Sequence, residues 1–258
     1  MVFTSSEITA YIGTLLWPLF RVAGLMMTAP VFAARTVPVR IRLGLSVAIT
    51  VMILPIMPAA PNVELLSPAA FFLVAQQLLI GVLMGFTLQI VMAAIVTGGQ
   101  VVAMQMGLGF AAMVDPQNGT QTPVLSQFYV IMVVLVYLAM NGHLVLIEVL
   151  IDSFKTMPVS MHGLVPEDFN KVVHWAAILF SGAVGIAIPA IASLLIVNFT
   201  FGIMTRAAPQ MNIFAIGFPL TMLLGFGVIF ATLPSVVPHS SSLFTSAYRL
   251  LKTIVGGV

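Results

Sequence analysis

The 258-residue sequence contains no cysteine, which excludes disulfide bonds, thiolate metal sites and cysteine nucleophiles. Charge is also scarce, because charged residues make up 6% of the chain against about 25% in a typical soluble domain. Hydrophobic residues make up 60%. Nine Lys or Arg and seven Asp or Glu cannot coat a globule of 27.5 kDa. The sequence therefore predicts a membrane protein and excludes a soluble enzyme.

Several residue patterns that carry chemistry are missing as well. The basic residues form no run longer than the scattered Arg35, Arg40 and Arg42, so the footprint of a nucleic-acid-binding protein is absent. The four histidines lack the close helical spacing of metal ligands. No GxSxG, HExxH or GxxxxGK[ST] motif occurs. We therefore expect no enzyme activity, no cofactor and no metal site.

The sequence does contain a series of long apolar stretches. They predict an all-α, polytopic membrane protein of about six apolar spans, several of them kinked or folded as re-entrant helical hairpins. The first stretch has only Glu7 before it and no basic segment, so we expect a permanent helix and not a cleaved signal. The six stretches are Ile8–Ala34, Leu43–Met57, Ala69–Val96, Val124–Ile147, Val173–Met204 and Ile213–Val237.

The spans differ in length, and their prolines and glycines indicate where they bend. As a helix, the fifth would reach roughly 45 Å, well beyond a bilayer core of about 30 Å. Pro189 lies inside it, so we expect a kink there that divides the span into two half-helices. Glycines in the third span indicate either close helix packing or an interruption near its end. They are Gly81, Gly85, Gly98 and Gly99.

Two further segments hold much of the remaining charge. Glu148–Lys171 is predicted to be a solvated loop with a short interfacial helix. After Ser240–Ser242, a typical helix start, apolar residues recur on one helical face while Arg249 and Lys252 fall off it. This spacing predicts an amphipathic C-terminal helix. Its apolar positions are Leu243, Ala247, Leu250, Leu251 and Ile254.

The segment Gln100–Thr122 is neither a clean span nor a polar loop. It is apolar, carries three glycines and turns sharply at Asp115–Gly119. Irregular backbone at membrane depth is tolerated only where it packs in protein or lines a cavity, so a re-entrant or pore-occluding element fits this segment. Its methionines and Phe110 suit a flexible gasket around a passing chain, although ordinary membrane packing is the more common reason for such residues.

Two polar features inside apolar stretches are candidates for function. Arg21 is costly in hydrocarbon and marks either a pathway for charge or a structural contact. Asn141-Gly142-His143 fits either a proton relay or the polar end of a span. The three arginines of the first loop face a second loop, Pro58–Pro68, that has no basic residue. We therefore expect the first loop to be cytoplasmic and both termini to face outward.

Four segments, in order along the whole chain, carry a resemblance to a known family. They are Ala29–Phe32 with Val37–Leu45, Met104–Ala111 continuing to Asp115-Pro116, Asn141-Gly142-His143, and Arg206–Phe214 with Gly217–Leu220. In these segments the chain resembles the FliR family of type III secretion export-gate membrane proteins. The resemblance runs from the first span to the last, and the last two segments are the most distinctive.

The resemblance implies a function beyond what the residues indicate alone. A member of this family is not an enzyme. It is a structural and gating subunit of the flagellar export gate, in the bacterial inner membrane and the flagellar basal body. The implied partners are FliP-like and FliQ-like gate subunits, FlhB-like and FlhA-like export components, and the unfolded flagellar subunits that cross the membrane. Residues 1–147 would be a FliP-like front part with four apolar spans, and residues 148–258 a FliQ-like rear hairpin.

The resemblance also makes the stretch from Met104 to Gly119 the plug of the closed channel. The predicted plug and gating residues are Met104, Met106, Gly107, Gly109, Phe110, Met113, Asp115, Pro116 and Gly119. Between the fifth and sixth spans we expect a cytoplasmic turn that contacts a FlhB-like subunit. Its predicted contact residues are Arg206, Pro209, Gln210 and Asn212.

Two other functions compete with this interpretation: a small-solute or ion transporter, and a membrane scaffold without a conduit. A coupled transporter places paired ionisable groups at mid-membrane, whereas only Arg21 is clearly intramembrane here. A scaffold differs from a gate only if Gln100–Thr122 lies outside the conduit. The sequence leaves that alternative open.

Overall fold

The computed structural model describes residues 5–34, 36–58, 61, 63–108, 124–161, 163–207 and 213–255, without the side chains of residues 5–12, 213–216 and 218. Every regular element in this part of the chain is helical. The α-helices are α1 (Ser5–Thr28), α2 (Val39–Ile53), α3 (Pro68–Gln105), α4 (Val124–Ala139), α5 (Gly142–Thr156), α6 (Pro166–Trp175), α7 (Ile178–Ala207) and α8 (Ile213–Val255). A single 3₁₀ turn, Leu54–Ile56, extends α2.

The all-α, polytopic membrane fold is confirmed. Four helical segments of the described chain are long and apolar enough to cross a bilayer: Val39–Ile56, Pro68–Gln105, Pro166–Ala207 and Pro219–Val255. The pair α4 and α5 passes the same test together as a broken span, which gives up to five. The sequence predicted about six.

The sequence predicted a single span for the fourth apolar stretch, but the structure has two helices there. The stretch breaks between α4 and α5 at Asn141, whose φ of 57° lies in the left-handed region that asparagine tolerates better than most residues. Because α5 then continues to Thr156, the predicted solvated loop from Glu148 begins inside a helix. The short helix predicted there is α6.

The fifth stretch is not divided at Pro189, which lies inside the continuous helix α7. The break falls earlier, at the turn of Ala176 and Ala177 between α6 and α7. A proline removes one backbone donor, and membrane helices tolerate that loss when neighbouring groups satisfy the freed carbonyl. The third stretch, α3, likewise runs without interruption through all four of its glycines.

The sixth stretch and the C-terminal helix are one element, α8, so Ser240–Ser242 is not a helix start. The hydroxyls of Ser240 and Ser241 donate to the carbonyl of Val237 at 2.8 and 2.9 Å, which satisfies them inside the helix without any capping role. In this part of α8, Leu243, Ala247, Leu251 and Ile254 are buried and Leu250 is half-buried, while Arg249 and Lys252 are exposed.

The chain forms two compact units whose segments alternate along the sequence. The first unit comprises Met1–Ile90, Asn141–Ala176 and Phe244–Val258, and the second comprises Val91–Met140 and Ala177–Leu243. The boundary predicted near Ile147 separates a FliP-like front part from a FliQ-like rear part, and it stays a prediction.

In the first unit, α1 packs on the first part of α3 through glycines. A Cβ added to Gly24 would lie 2.7 Å from a carbonyl oxygen of α3, and one added to Gly81 would overlap the carbonyl oxygen of Arg21. The two backbones therefore touch directly, as at small-residue helix crossings in membranes. One turn later Thr28 meets Gly85, so α1 and α3 run in the same direction along this contact.

The second unit also packs through glycines. A Cβ on Gly98 of α3 would lie 3.0 Å from the carbonyl oxygen of Ala183 in α7, and one on Gly185 would meet the ring of His239 in α8. Within this unit, glycine thus allows close approach of α7 to both α3 and α8.

Candidate functional site

The helix α3 ends where the predicted plug segment begins. Gly107 has a φ of 83°, in the left-handed region that favours glycine. The N–H of Gly107 donates to the carbonyl of Met104, and the N–H of Leu108 donates to the carbonyl of Ala103, both at 3.0 Å. These two bonds form a Schellman motif with Gly107 at its C′ position. Gly107 is therefore the residue at which the helical path stops.

The predicted irregular segment begins later than the sequence indicated, because Gln100–Gln105 is helical. The two described methionines of the predicted plug lie in different surroundings. Met104 is 61% exposed, whereas Met106 is fully buried. Gly225 of α8 is close enough that an added Cβ would lie 2.6 Å from the terminal methyl of Met106.

The remaining plug residues lie outside the described residues: Gly109, Phe110, Met113, Asp115, Pro116 and Gly119. The shared orientation of Met104 and Met106 towards a closed conduit therefore stays a prediction.

The predicted subunit contact lies just after α7. Arg206 is exposed in the last turn of that helix, where a positive charge interacts favourably with the negative end of the helix dipole. Pro209, Gln210 and Asn212 lie outside the described residues. The contact itself stays a prediction.

Arg21 is fully buried in the first unit, and neutral groups bind its guanidinium. Its Nε donates to Oε1 of Gln77 at 2.8 Å. Its Nη1 donates to the carbonyl and hydroxyl oxygens of Ser153 at 2.8 and 3.0 Å, and its Nη2 donates to the carbonyl of Met157 at 2.8 Å. The guanidinium carbon also lies 4.2 Å from the ring centre of Phe154, within cation–π range.

The ion pairs found among the described residues lie elsewhere, between Lys155 and Asp152 and between Lys171 and Asp168. The positive charge of Arg21 instead meets the C-terminal end of α5. The last carbonyl groups of a helix carry its partial negative charge. The geometry thus favours the structural role of Arg21 over a pathway for charge.

The positions of Arg21 and Gln77 follow from the glycine crossing. Arg21 lies one turn before Gly24 on α1, and Gln77 lies one turn before Gly81 on α3. Because the two helices touch at the glycines and run in the same direction, the two side chains are brought side by side.

Two residues of this site were missed by sequence reasoning, Gln76 and Gln77. Both are buried in α3, at 9% and 1% exposure. With its amide oriented to match its neighbours, Gln76 donates from Nε2 to the carbonyl of Ser160 at 2.9 Å and accepts at Oε1 from the N–H of Gly163 at 2.7 Å. A pair of adjacent amides inside an apolar stretch was the signal, because buried amides need partners.

The segment Asn141-Gly142-His143 forms the break between α4 and α5. The hydroxyl of Tyr248 donates to the carbonyl of Gly142 in the first turn of α5 at 2.6 Å, which gives the hydroxyl a partner at this helix end. His143 is half-buried, and its Nδ1 has no hydrogen-bond partner among the described residues. This arrangement favours the span-end interpretation over a proton relay.

Among the described residues, no three His, Asp or Glu side chains come together as metal ligands would. The apolar surface is extensive in both units, with Val39 and Phe71 in the first and Phe180, Phe199 and Phe230 in the second all more than half exposed. Side chains of this size in contact with water would be unfavourable, so lipid or protein must cover them.

Comparisons with known proteins give a consistent result. The family described as "Bacterial export proteins, family 1" matches residues 12–247. The chain is 38% identical to the flagellar biosynthetic protein FliR of Escherichia coli (strain K12), over 98% of this chain and 96% of that protein. It is 29% identical to the proteins of the same name from Aquifex aeolicus (strain VF5), over 98% and 96%, and from Bacillus subtilis (strain 168), over 92% and 93%.

Proposed function

Because the chain belongs to the bacterial export proteins, family 1, we propose that it is a membrane subunit of the flagellar protein-export apparatus. This proposal rests on one observation. The chain is similar, over nearly its whole length, to proteins from several bacteria that are named for flagellar biosynthesis. The helical, apolar fold agrees with a membrane component. Localisation in the bacterial inner membrane, at the flagellar basal body, is part of the proposal.

More specifically, this subunit helps to form and to plug the channel through which unfolded flagellar subunits pass. The segment that follows the Schellman motif is the plug. An apolar plug blocks ions because it offers no substitute for their hydration shell. It must leave when a substrate chain arrives, so the closed state can be favoured by only a few kcal/mol.

The partners in this proposal are FliP-like and FliQ-like gate subunits, with FlhB-like and FlhA-like export components beside them. Support comes from the amount of large apolar side chain that both units expose. The turn from Arg206 to Gln210 is the proposed contact with the FlhB-like subunit. The mechanism requires no enzyme chemistry from this chain, which acts as structure and gate.

Leakage through the closed assembly tests the plug. Deletion of residues 107–119, or Gly119→Arg, should let ions and small molecules leak across the membrane while the complex still forms. Gly227→Leu is the matched control, because a Cβ at Gly227 meets nothing within 4 Å in this chain. If membranes with the plug variants show no increase in ion conductance, with assembly confirmed by copurification, the segment is a packing element. A scaffold without a conduit would then explain the protein better than a gate.

Copurification tests the partners. The chain should be recovered with FliP-like and FliQ-like subunits, and a photo-crosslinker at position 210 should capture a FlhB-like protein. Recovery of a stable solitary chain in detergent contradicts the assembly. Capture of periplasmic proteins alone from position 210 reverses the predicted orientation.

A further inference from the structure

We propose that Arg21, Gln76 and Gln77 act together as a polar clamp that holds the described residues of the α5–α6 connection, 157–161 and 163–165, in a single conformation. The clamp is independent of the plug and of the export partners, because every group in it belongs to the first unit of this chain. The connection joins the end of one broken span to the short helix α6.

Arg21 holds the start of the connection. Its Nη1 donates to the carbonyl of Ser153 in the last turn of α5, and its Nη2 donates to the carbonyl of Met157, the C-cap residue. The carbonyl of Ser153 already accepts the N–H of Met157 at 3.0 Å, so Arg21 reinforces an existing turn. Gln77 accepts from Nε and thereby fixes the plane of the guanidinium.

Gln76 holds the middle of the connection. It binds Ser160 and Gly163 with the two ends of one amide, which fixes two backbone groups three residues apart. Gly163 lies directly on that amide, because an added Cβ would overlap the Gln76 side chain. The end of the connection is held by α6 itself, since the N–H of Val165 donates to the carboxylate of Asp168 at 3.2 Å.

The clamp uses side chains because the connection has little regular structure of its own. Where a loop is buried in protein, its backbone donors and acceptors lose contact with water and need partners from the chain. Buried amide and guanidinium groups provide those hydrogen bonds, and they set the position of the loop at the same time. Val159, in the middle of the connection, is 8% exposed, so the clamped loop keeps an apolar side chain buried.

The absence of cysteine makes a direct test available. In Val159→Cys, the thiol should react slowly with a hydrophilic maleimide in membranes that contain the full chain and its partners. Adding Arg21→Met or Gln76→Leu should raise the labelling rate about tenfold or more, because each removes hydrogen bonds that keep the loop closed. Arg21→Lys should behave like Arg21→Met, since an ammonium cannot bind Gln77, Ser153 and Met157 at once.

Two controls separate loop release from general loosening. Gln89→Leu removes a similar amide from α3, one that donates to the carbonyl of Thr28 at 3.0 Å and does not touch the loop. It should leave the labelling of residue 159 unchanged. Val149→Cys places a second reporter at a buried valine of α5, and its labelling should stay slow in all variants.

The proposal is overturned if Gln76→Leu leaves the labelling rate of residue 159 at the parent value. This variant keeps the test decisive even where Arg21→Met fails to accumulate. It is also overturned if Gln89→Leu accelerates labelling as much as Gln76→Leu, or if residue 149 reacts in parallel with residue 159. If labelling of residue 159 stays at the parent rate in Arg21→Lys, positive charge alone suffices. The role proposed for the forked guanidinium would then be wrong.

Discussion

The two units of this chain keep their helices together by different means. Both use glycine to bring helices into contact, but only the first unit buries a network of polar side chains. Of the fully buried polar residues in the described chain, Ser126 and Ser240 fall in the second unit. The first unit contains Arg21, Ser46, Thr50, Gln76, Gln77, Thr87, Ser153 and Asp168.

Charge is divided in the same way. Among the residues that the structure describes, every charged residue except Arg206 belongs to the first unit. Helices in lipid gain little from apolar burial, so their association depends on close packing and on hydrogen bonds between helices. The first unit uses both around its buried arginine and glutamines, whereas in the second unit close packing is joined by a weaker bond from the Ser241 hydroxyl to the sulfur of Met140 at 3.0 Å. Polar contacts therefore give the first unit a fixed geometry at the α5–α6 connection that packing alone would not specify.

The glycine crossing of α1 and α3 is where a substitution should have the largest effect. Gly81→Leu forces a side chain into the backbone of α1 and should cost more than about 3 kcal/mol, beyond the usual cost of overpacking. Gly44→Leu is the control, because a Cβ there meets nothing within 4 Å. Chemical unfolding of this chain within its purified assembly in detergent, followed by a fluorescent label on the chain, measures both. Equal stability of the two variants would mean that the crossing does not hold the first unit together.

Arg21→Met should have the next largest effect and sharpens the contrast between the units. It leaves the carbonyl of Met157 and the amide oxygen of Gln77 without their donor, at a cost of about 2–3 kcal/mol. Ser126→Ala is the matched variant in the second unit, since the buried Ser126 hydroxyl has no hydrogen-bond partner among the described residues. It should be neutral. Similar losses in the same unfolding assay would remove the distinction drawn here between polar and apolar interiors.

Gly107→Ala should cost less, about 1 kcal/mol, because alanine resists the left-handed backbone of the Schellman motif. Gly202→Ala in α7 is its counterpart in the same unit, where an added Cβ meets open space. There the higher helix propensity of alanine should stabilise by up to about 1 kcal/mol. Thermal unfolding distinguishes the expected loss of stability in Gly107→Ala from the expected gain in Gly202→Ala. A gain at both positions would show that the end of α3 is not held by a left-handed glycine.

The sequence predicted the class of fold and the family well, because composition and ordered motifs are properties of the chain itself. It failed where tertiary contacts decide. Pro189 was expected to divide a helix, but α7 continues through it, as membrane helices can when other groups satisfy the freed carbonyl. Ser240–Ser242 looked like a helix start, yet two of these hydroxyls bind a carbonyl one turn back.

The same limit applies to the buried polar site. Arg21 was recognised as unusual from the sequence, because charge inside an apolar stretch is rare. Its partners were not recognised, since Ser153 and Met157 are 132 and 136 residues away along the chain and bind largely through backbone carbonyls. A backbone acceptor carries no residue-specific signal. Only the adjacent amides of α3 could have indicated where the guanidinium is bound.

The smallest effect is expected at the surface of the first unit, where Lys171 pairs with Asp168 on α6 at 3.0 Å. The Lys171 side chain is 48% exposed, and ion pairs of this kind contribute about 0–1 kcal/mol because water and salt screen them. Lys171→Met should therefore change the unfolding free energy by less than about 0.5 kcal/mol. Asp168→Ala should cost more, about 1 kcal/mol, since the buried carboxylate also accepts the N–H of Val165 at the start of α6 and alanine offers no acceptor. Raising the salt concentration should not change the difference between the two variants, because both lose the same ion pair. If Lys171→Met proves the more damaging substitution, the exposed charge pair and not the buried acceptor holds α6 in place.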